Sequence, residues 1–315
     1  MTIADPARGS VQARPPHHRE GFSQPVLRAV EPYLYVAPGL LTIILVMLVP
    51  LAIGISYSFQ HFVIFLPQMR RYIGFEHYVE MWSDPNFWLS LVNTIEWTGW
   101  SVALQFVLGL GLALLLNKPF FGRRVYQALI FLPWAVPTFL SGLNFQWLFN
   151  PLISPIPHGL AFLGILDEPR NILADPDLAL YGPIVAMVWW GIPFFAITLL
   201  AALRSIPNEL YEAAAIDGAN AWQKFRAITW PLLMPTITIT VMLRTVWIAN
   251  SPDLIFVMTG GGPANATQIL PSYLFTTAYR GLDFGYASAL ATVLMLLLLA
   301  CALVILTMRQ RLMPS

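Results

Sequence analysis

The residues of this chain that can do chemistry fall into two groups. The first lies in Tyr211–Pro235, YEAAAIDGANAWQKFRAITWPLLMP, where Glu212, Asp217, Lys224 and Arg226 interrupt a strongly apolar surrounding sequence. The second is a set of polar residues embedded in apolar runs: Glu96, Arg244 and Asp253, with amides and indoles nearby. Neither group is a reaction centre. His61, His77 and His158 are scattered, and no metal-ligand spacing or nucleophile–base pair occurs. The two lysines, Lys118 and Lys224, do not follow a glycine, so there is no phosphate-binding Walker A loop. Thr259–Thr267, TGGGPANAT, has the glycines of such a loop but not the Lys and Ser/Thr that follow, and reads as tight turns. What remains is non-covalent: a surface for docking, and a polar lining inside apolar helices.

The elements that must hold these groups are membrane helices. Of 315 residues, 57% are hydrophobic and 10% charged, and the mean hydropathy is +0.65. A soluble domain carries about 25% charged residues. The fold class is therefore all-α, a polytopic membrane protein. Six segments approach the ~20 apolar residues that a bilayer core requires: 34–59, 91–116, 125–149, 181–203, 235–258 and 286–308. Residues 1–31, rich in Pro, Arg and His and including His17 and His18, read as a disordered tail, and 312–315 as a short end. The net charge of +1 gives no general attraction to nucleic acid. The one cysteine, Cys301, lies in an apolar run and reads as a small apolar side chain.

Sidedness follows from Lys and Arg. The tail, the loops after spans two and four, and the C-terminus hold twelve of them; the opposite loops hold Arg70, Arg71, Arg170 and Arg280. Both termini and the loop 204–234 are thus expected in the cytoplasm. On the outer side Asp84 and Pro85 suit the start of a helix. Met81–Thr94, with Trp82, Phe87 and Trp88, reads as a short interfacial helix ahead of span two.

In the polar loop, Pro207 can open a helix on which Leu210, Ala213, Ala214 and Asp217 share a face. Ala213–Ala215 make it thin, and Gly218 permits a left-handed turn. A second helix, about 221–228, is expected to end at Trp230-Pro231. The product is a small-surfaced knob suited to a socket on a soluble partner.

Glu212-Ala213-Ala214, Gly218, Ile228 and Pro231 resemble the EAA loop of ABC importer permeases. Asp253–Pro263 (DLIFVMTGGGP), Gly285–Ala291 (GYASALA), NTIEWT and FLPWAVP resemble the carbohydrate-uptake branch, the maltose and glycerol-3-phosphate permease type. Trp230, where the family usually has Leu, and Pro252, often Phe, depart from the pattern. The resemblance covers roughly 34–311. It implies a type I importer permease fold in a bacterial inner membrane, with ATP and Mg held by a separate ATPase and no cofactor in this chain. Two ATPase copies, a second related permease and a periplasmic or lipid-anchored solute-binding protein are the implied partners. Glu212, Ala213, Ala214, Asp217, Gly218, Ile228 and Pro231 would form the coupling helix that docks on the ATPase, and the solute would cross between the two permeases.

Ionisable residues in spans face a cavity or a partner. Glu96 lies near the outer end of span two, at headgroup level. Arg244 is nine residues into span five, ~14 Å from its inner end, and either binds an anionic solute or braces the bundle. Asp253 accepts sugar hydroxyls or caps a helix broken at Pro252. Sugars are held by paired hydrogen bonds and aromatic faces. The candidate lining is therefore Asn144, Gln146, Trp147, Trp189, Trp190, Arg244, Trp247, Asn250 and Asp253, although each indole also fits lipid contact or plain packing. Trp247, Asn250, Ser251 and Leu254 fall on one stripe. The expected function is the permease subunit of an ATP-driven importer for a saccharide, polyol, glycerol phosphodiester or sulfosugar glycoside. The rival class is a self-sufficient secondary transporter driven by an ion gradient.

Overall fold

The computed structural model describes residues 24–312. Residues 1–23, with His17 and His18, and the last three residues lie outside the described residues, whereas 24–31, expected in the disordered tail, belong to the first helix. Two units are recognised, residues 1–53 and 54–315. In the first, α1 (Gln24–Ile43) passes through a π-helical turn, Ile44–Leu48, into α2 (Val49–Tyr57). Its apolar side chains from Val36 to Val49 are exposed all round, and Tyr35–Tyr57 is long and apolar enough to cross a membrane.

The second unit begins with a two-stranded antiparallel ribbon, β1 (Gln60–His61) and β2 (Arg71–Tyr72), followed by α3 (Glu76–Ser83) and the long α4 (Pro85–Asn117). The expected interfacial helix at Met81–Thr94 is not separate. Asp84 breaks the chain and caps α4 through a hydrogen bond donated by Asn86 N (2.9 Å), and no breaker follows Pro85, so the helix runs on unbroken. α4 packs along α8 (Tyr181–Arg204) as the central pair of the core. The backbones approach closely at Gly109, where a Cβ would run into Phe195. Trp97, Phe195, Leu199, Leu233, Ile248 and Leu254 are among the fully buried side chains around that pair.

Two expected spans are broken. Segment 125–149 is α5 (Arg123–Ala135) and α6 (Thr138–Leu148), bent by 92° at Val136-Pro137. Pro137 lacks an N–H and drives Val136 into the extended region, so the helix cannot continue. After α7 (Ile156–Phe162), α8, α9 (Asn208–Ile216) and α10 (Ala221–Lys224) comes α11 (Trp230–Ala249), which stops at Asn250. Pro252 then starts α12 (Asp253–Met258). α13 (Leu270–Tyr279) and α14 (Phe284–Leu312) complete the unit.

A further expectation fails at Trp230-Pro231. The chain does not stop there: α10, a π-helical turn at Phe225–Thr229 and α11 form one continuous helix, Ala221–Ala249. The wide turn immediately before Pro231 accommodates its missing N–H without a break. Among the described residues five helices, or six spans when α5–α6 count as one, have the length and composition to cross a membrane.

Candidate functional site

The polar loop is a knob at the end of the bundle where α4 and α8 terminate. α9 stops at Asp217, and Gly218 turns the chain with φ +79° in otherwise open space. Glycine is required there by backbone conformation alone. Asn220 then opens α10 with a reciprocal capping box: its Oδ1 accepts from Gln223 N (2.9 Å), and its own N–H donates to Gln223 Oε1 (2.8 Å). Glu212, Ala213, Asp217 and Gly218 are exposed, Ala214 is half-buried, and Ile216 at 88% exposure stands fully clear. Among the described residues none of Glu212, Asp217, Lys224 or Arg226 has an ion-pair partner.

The knob is fastened rather than loose. Tyr211 and Thr229 join their hydroxyls (2.9 Å) across its base. Trp222 stacks on Phe225 (5.6 Å between centroids), Phe225 meets Trp230 at a tilt, and Trp230–Phe106 and Phe106–Phe195 pack edge to face. Ile228 packs on the core, while Pro231 is exposed. Trp230, a departure from the family pattern, is thus the link between knob and core.

The second group meets at a cavity of about 440 Å³ located where α5–α6 and α11–α12 break. Of the residues expected along the solute path, Trp190, Arg244, Trp247 and Asp253 line this cavity. Trp134, Thr138, Met187 and Ser251 also line it, and sequence patterning had not singled out the first three. Asn250 does not: it faces a different hollow, against Leu274 and α14. Asn144 and Trp147 are exposed on α6 away from the cavity, and Gln146 donates to Met258 O (3.4 Å). Trp189 packs edge-on against Phe145. Glu96 lies on the exposed face of α4.

Arg244 is 1% exposed. Its Nε and Nη2 both donate to Gln105 Oε1 (2.9 and 2.7 Å), and Gln105 Nε2 donates to Met187 O (2.8 Å). The guanidinium also lies over Trp190 (5.4 Å) and Phe194 (5.5 Å). Gly191 makes room for this arrangement, since a Cβ there would overlap both the Gln105 amide and Arg244 Nη2. Of the two roles open to Arg244, the contacts are those of a brace joining α4, α8 and α11.

Both helix breaks are closed by an indole from an unbroken neighbour. Trp97 of α4 donates to Ile248 O (3.0 Å) at the end of α11, and Trp190 of α8 donates to Val136 O (2.9 Å) at the α5–α6 bend. Ile248 O also accepts from Ser251 N (3.1 Å), so Trp97 is a second donor there. Asn93 and Thr94 anchor the far loop: Asn93 Nδ2 donates to Ala266 O and Gln268 O, and Leu270 N donates to Thr94 Oγ1. Gly260, Gly261, Ala264 and Asn265 turn the chain there with positive φ. Nearby, Asp84 Oδ2 accepts from Tyr273 and Tyr286, tying the start of α4 to α13 and α14. Burial, then the hydrogen bond to Asp84, holds the Tyr273 phenol above its ordinary range.

Residues 105–315 match the family described as binding-protein-dependent transport system inner membrane component. The chain is 37% identical over 273 residues to the trehalose/maltose transport system permease protein of Thermococcus litoralis, covering 86% of this chain and 91% of that one. It is 35% identical over 264 residues to the sulfoquinovosyl glycerol transport system permease protein of Agrobacterium fabrum, covering 83% and 84%. A solved bacterial ABC transporter involved in the import of the acidic polysaccharide alginate has a chain of the same fold. The TM-score is 0.78 at 23% identity, over 93% of this chain and 99% of that one.

Proposed function

This chain belongs to the family of binding-protein-dependent transport system inner membrane components, and from that premise we propose how its two polar regions divide the work of transport. It is a permease subunit of an ABC importer of the sugar-transport class and not itself an enzyme; ATP is hydrolysed by a separate subunit. The solute is a sugar or sugar-derived molecule, as for the trehalose/maltose and sulfoquinovosyl glycerol relatives. Two ATPase copies, with their ATP and Mg, act from the cytoplasm. A second, related permease supplies the other half of the pathway, and a periplasmic or lipid-anchored binding protein delivers the solute. Both termini and the knob face the cytoplasm, in keeping with the distribution of Lys and Arg.

One observation carries the coupling role. The exposed, alanine-surfaced α9 is tied through the Tyr211–Thr229 hydroxyl pair to a continuous helix, Ala221–Ala249, that ends at the cavity. A displacement imposed on the knob by closing ATPases is therefore delivered where Arg244, Trp247 and Asp253 lie. Glu212, Ala213, Ala214 and Asp217 form the docking face, Gly218 sets the turn, and Ile228 and Pro231 join the knob to α11. The test is the assembled transporter reconstituted with its binding protein. Glu212→Lys lowers solute-stimulated ATPase activity about 10-fold or more while the amount of complex in the membrane holds. Unchanged transport in that variant refutes the coupling role, and uptake by this chain alone on an ion gradient refutes the assignment of its energy source.

A further inference from the structure

We propose that the cavity at the two helix breaks selects for an uncharged, polyhydroxylated solute and discriminates against anions. The inference rests on the reading that this cavity is part of the solute path.

An anion is favoured by a cation free to turn toward it, and the cavity's cation is held in place by protein contacts that leave only its Nη1 without a partner. Arg244 is the sole cation of its lining, and its Nε and Nη2 are both occupied by Gln105 Oε1. The guanidinium is 1% exposed and lies against two aromatic faces. Turning it toward a ligand would abandon two charge-assisted hydrogen bonds and leave the Gln105 oxygen unpaired in the core. The indole of Trp190 is likewise committed, to Val136 O.

The free groups have the opposite character. Asp253 is exposed, and its carboxylate meets only the Ser251 hydroxyl (3.3 Å). It is the sole acidic group of the lining, so an incoming anion meets an unpaired negative charge. A sugar hydroxyl instead finds an acceptor in Asp253, with Ser251 and Thr138 beside it. The half-exposed ring of Trp247 and that of Trp134 offer apolar faces to the sugar's C–H surface. Acceptor carboxylate, hydroxyls and indole faces together fit a neutral saccharide or polyol.

The geometry allows a test that does not require knowing the solute. The native cysteine is removed by Cys301→Ser, and Ser251→Cys places a thiol beside Asp253. In the assembled transporter, modification is timed with uncharged, cationic and anionic methanethiosulfonate reagents, each rate normalised to that of a free small thiol. The cationic reagent is expected to outpace the anionic by about 10-fold, and Asp253→Asn should bring the ratio close to one. An anionic reagent as fast as or faster than the cationic one means that the Arg244 charge governs the cavity, and overturns the inference. So does a ratio that Asp253→Asn leaves unchanged, or a thiol at 251 that the uncharged reagent cannot reach. ATPase activity stimulated by the binding protein, measured in parallel, separates these failures from failure of the importer assignment: if stimulation persists, only the claim about solute charge falls.

Discussion

Replacing Gln105 by Leu removes the acceptor of two Arg244 hydrogen bonds while nearly conserving volume, so the loss is electrostatic and not a packing defect. Hydrogen bonds to charged groups contribute about 1.5–3 kcal/mol each, and stranding a buried charge costs about 3–5 kcal/mol in total. With Arg244 at 1% exposure and no carboxylate within salt-bridge distance, the upper range applies, and Gln105→Leu should destabilise the chain by about 3–5 kcal/mol. Arg244→Met leaves a neutral carbonyl oxygen unpaired and should cost about 1–3 kcal/mol. The double variant strands neither group and should cost less than Gln105→Leu alone. The measurement is a double-mutant cycle on the purified chain, unfolded by denaturing detergent in mixed micelles. Additive losses, or a cost below about 1 kcal/mol for Gln105→Leu, would refute the brace and return Arg244 to the solute.

Trp97→Phe keeps an aromatic ring but removes one of the two donors to the Ile248 carbonyl, leaving Ser251 N, and should cost about 0.5–1.5 kcal/mol in the same unfolding titration; no loss would mean the break does not need the indole. The third prediction concerns alkali. Because the folded Tyr273 phenol titrates above its unfolded value, the folded state resists losing that proton. Its contribution is complete at neutral pH and is lost as pH rises past about 10, where the unfolded phenol ionises. Tyr273→Phe should flatten the alkaline decline of the unfolding midpoint, and an unchanged pH profile would count against it.

Much of the helical frame was legible because apolar length is a property of each segment alone. The start of α4 was readable too, since Asp84-Pro85 is a local signal. The bend at Val136-Pro137 was not, because proline inside a membrane helix is compatible with a kink or a full break, and the neighbour decides. Here the neighbour is Trp190, 54 residues further along the chain, which stabilises the freed carbonyl. The same holds for Arg244: its spacing on α11 left both solute and brace open, with the brace favoured, and the partner that holds it, Gln105, lies 139 residues away. Asn250 was expected in the lining from its place on a stripe with Trp247. The helix stops at Ala249, so the 3.6-residue period no longer says where residue 250 faces. The motif NTIEWT was recognisable before its reason was: Asn93, Thr94 and Trp97 each hold a backbone group on a distant segment.

The π-helical turn at Phe225–Thr229 has a mechanical consequence. Had Pro231 split the helix, the knob piece and the apolar piece would be joined by a soft elbow, and a push at one end would dissipate as bending. Instead, Ala221–Ala249 is a single rod roughly 40 Å long. Pivoting such a rod by about 5° swings its far tip through roughly 3–4 Å, about the width of a water molecule. A slight rotation set at the knob end thus becomes a displacement at the cavity end large enough to change what fits.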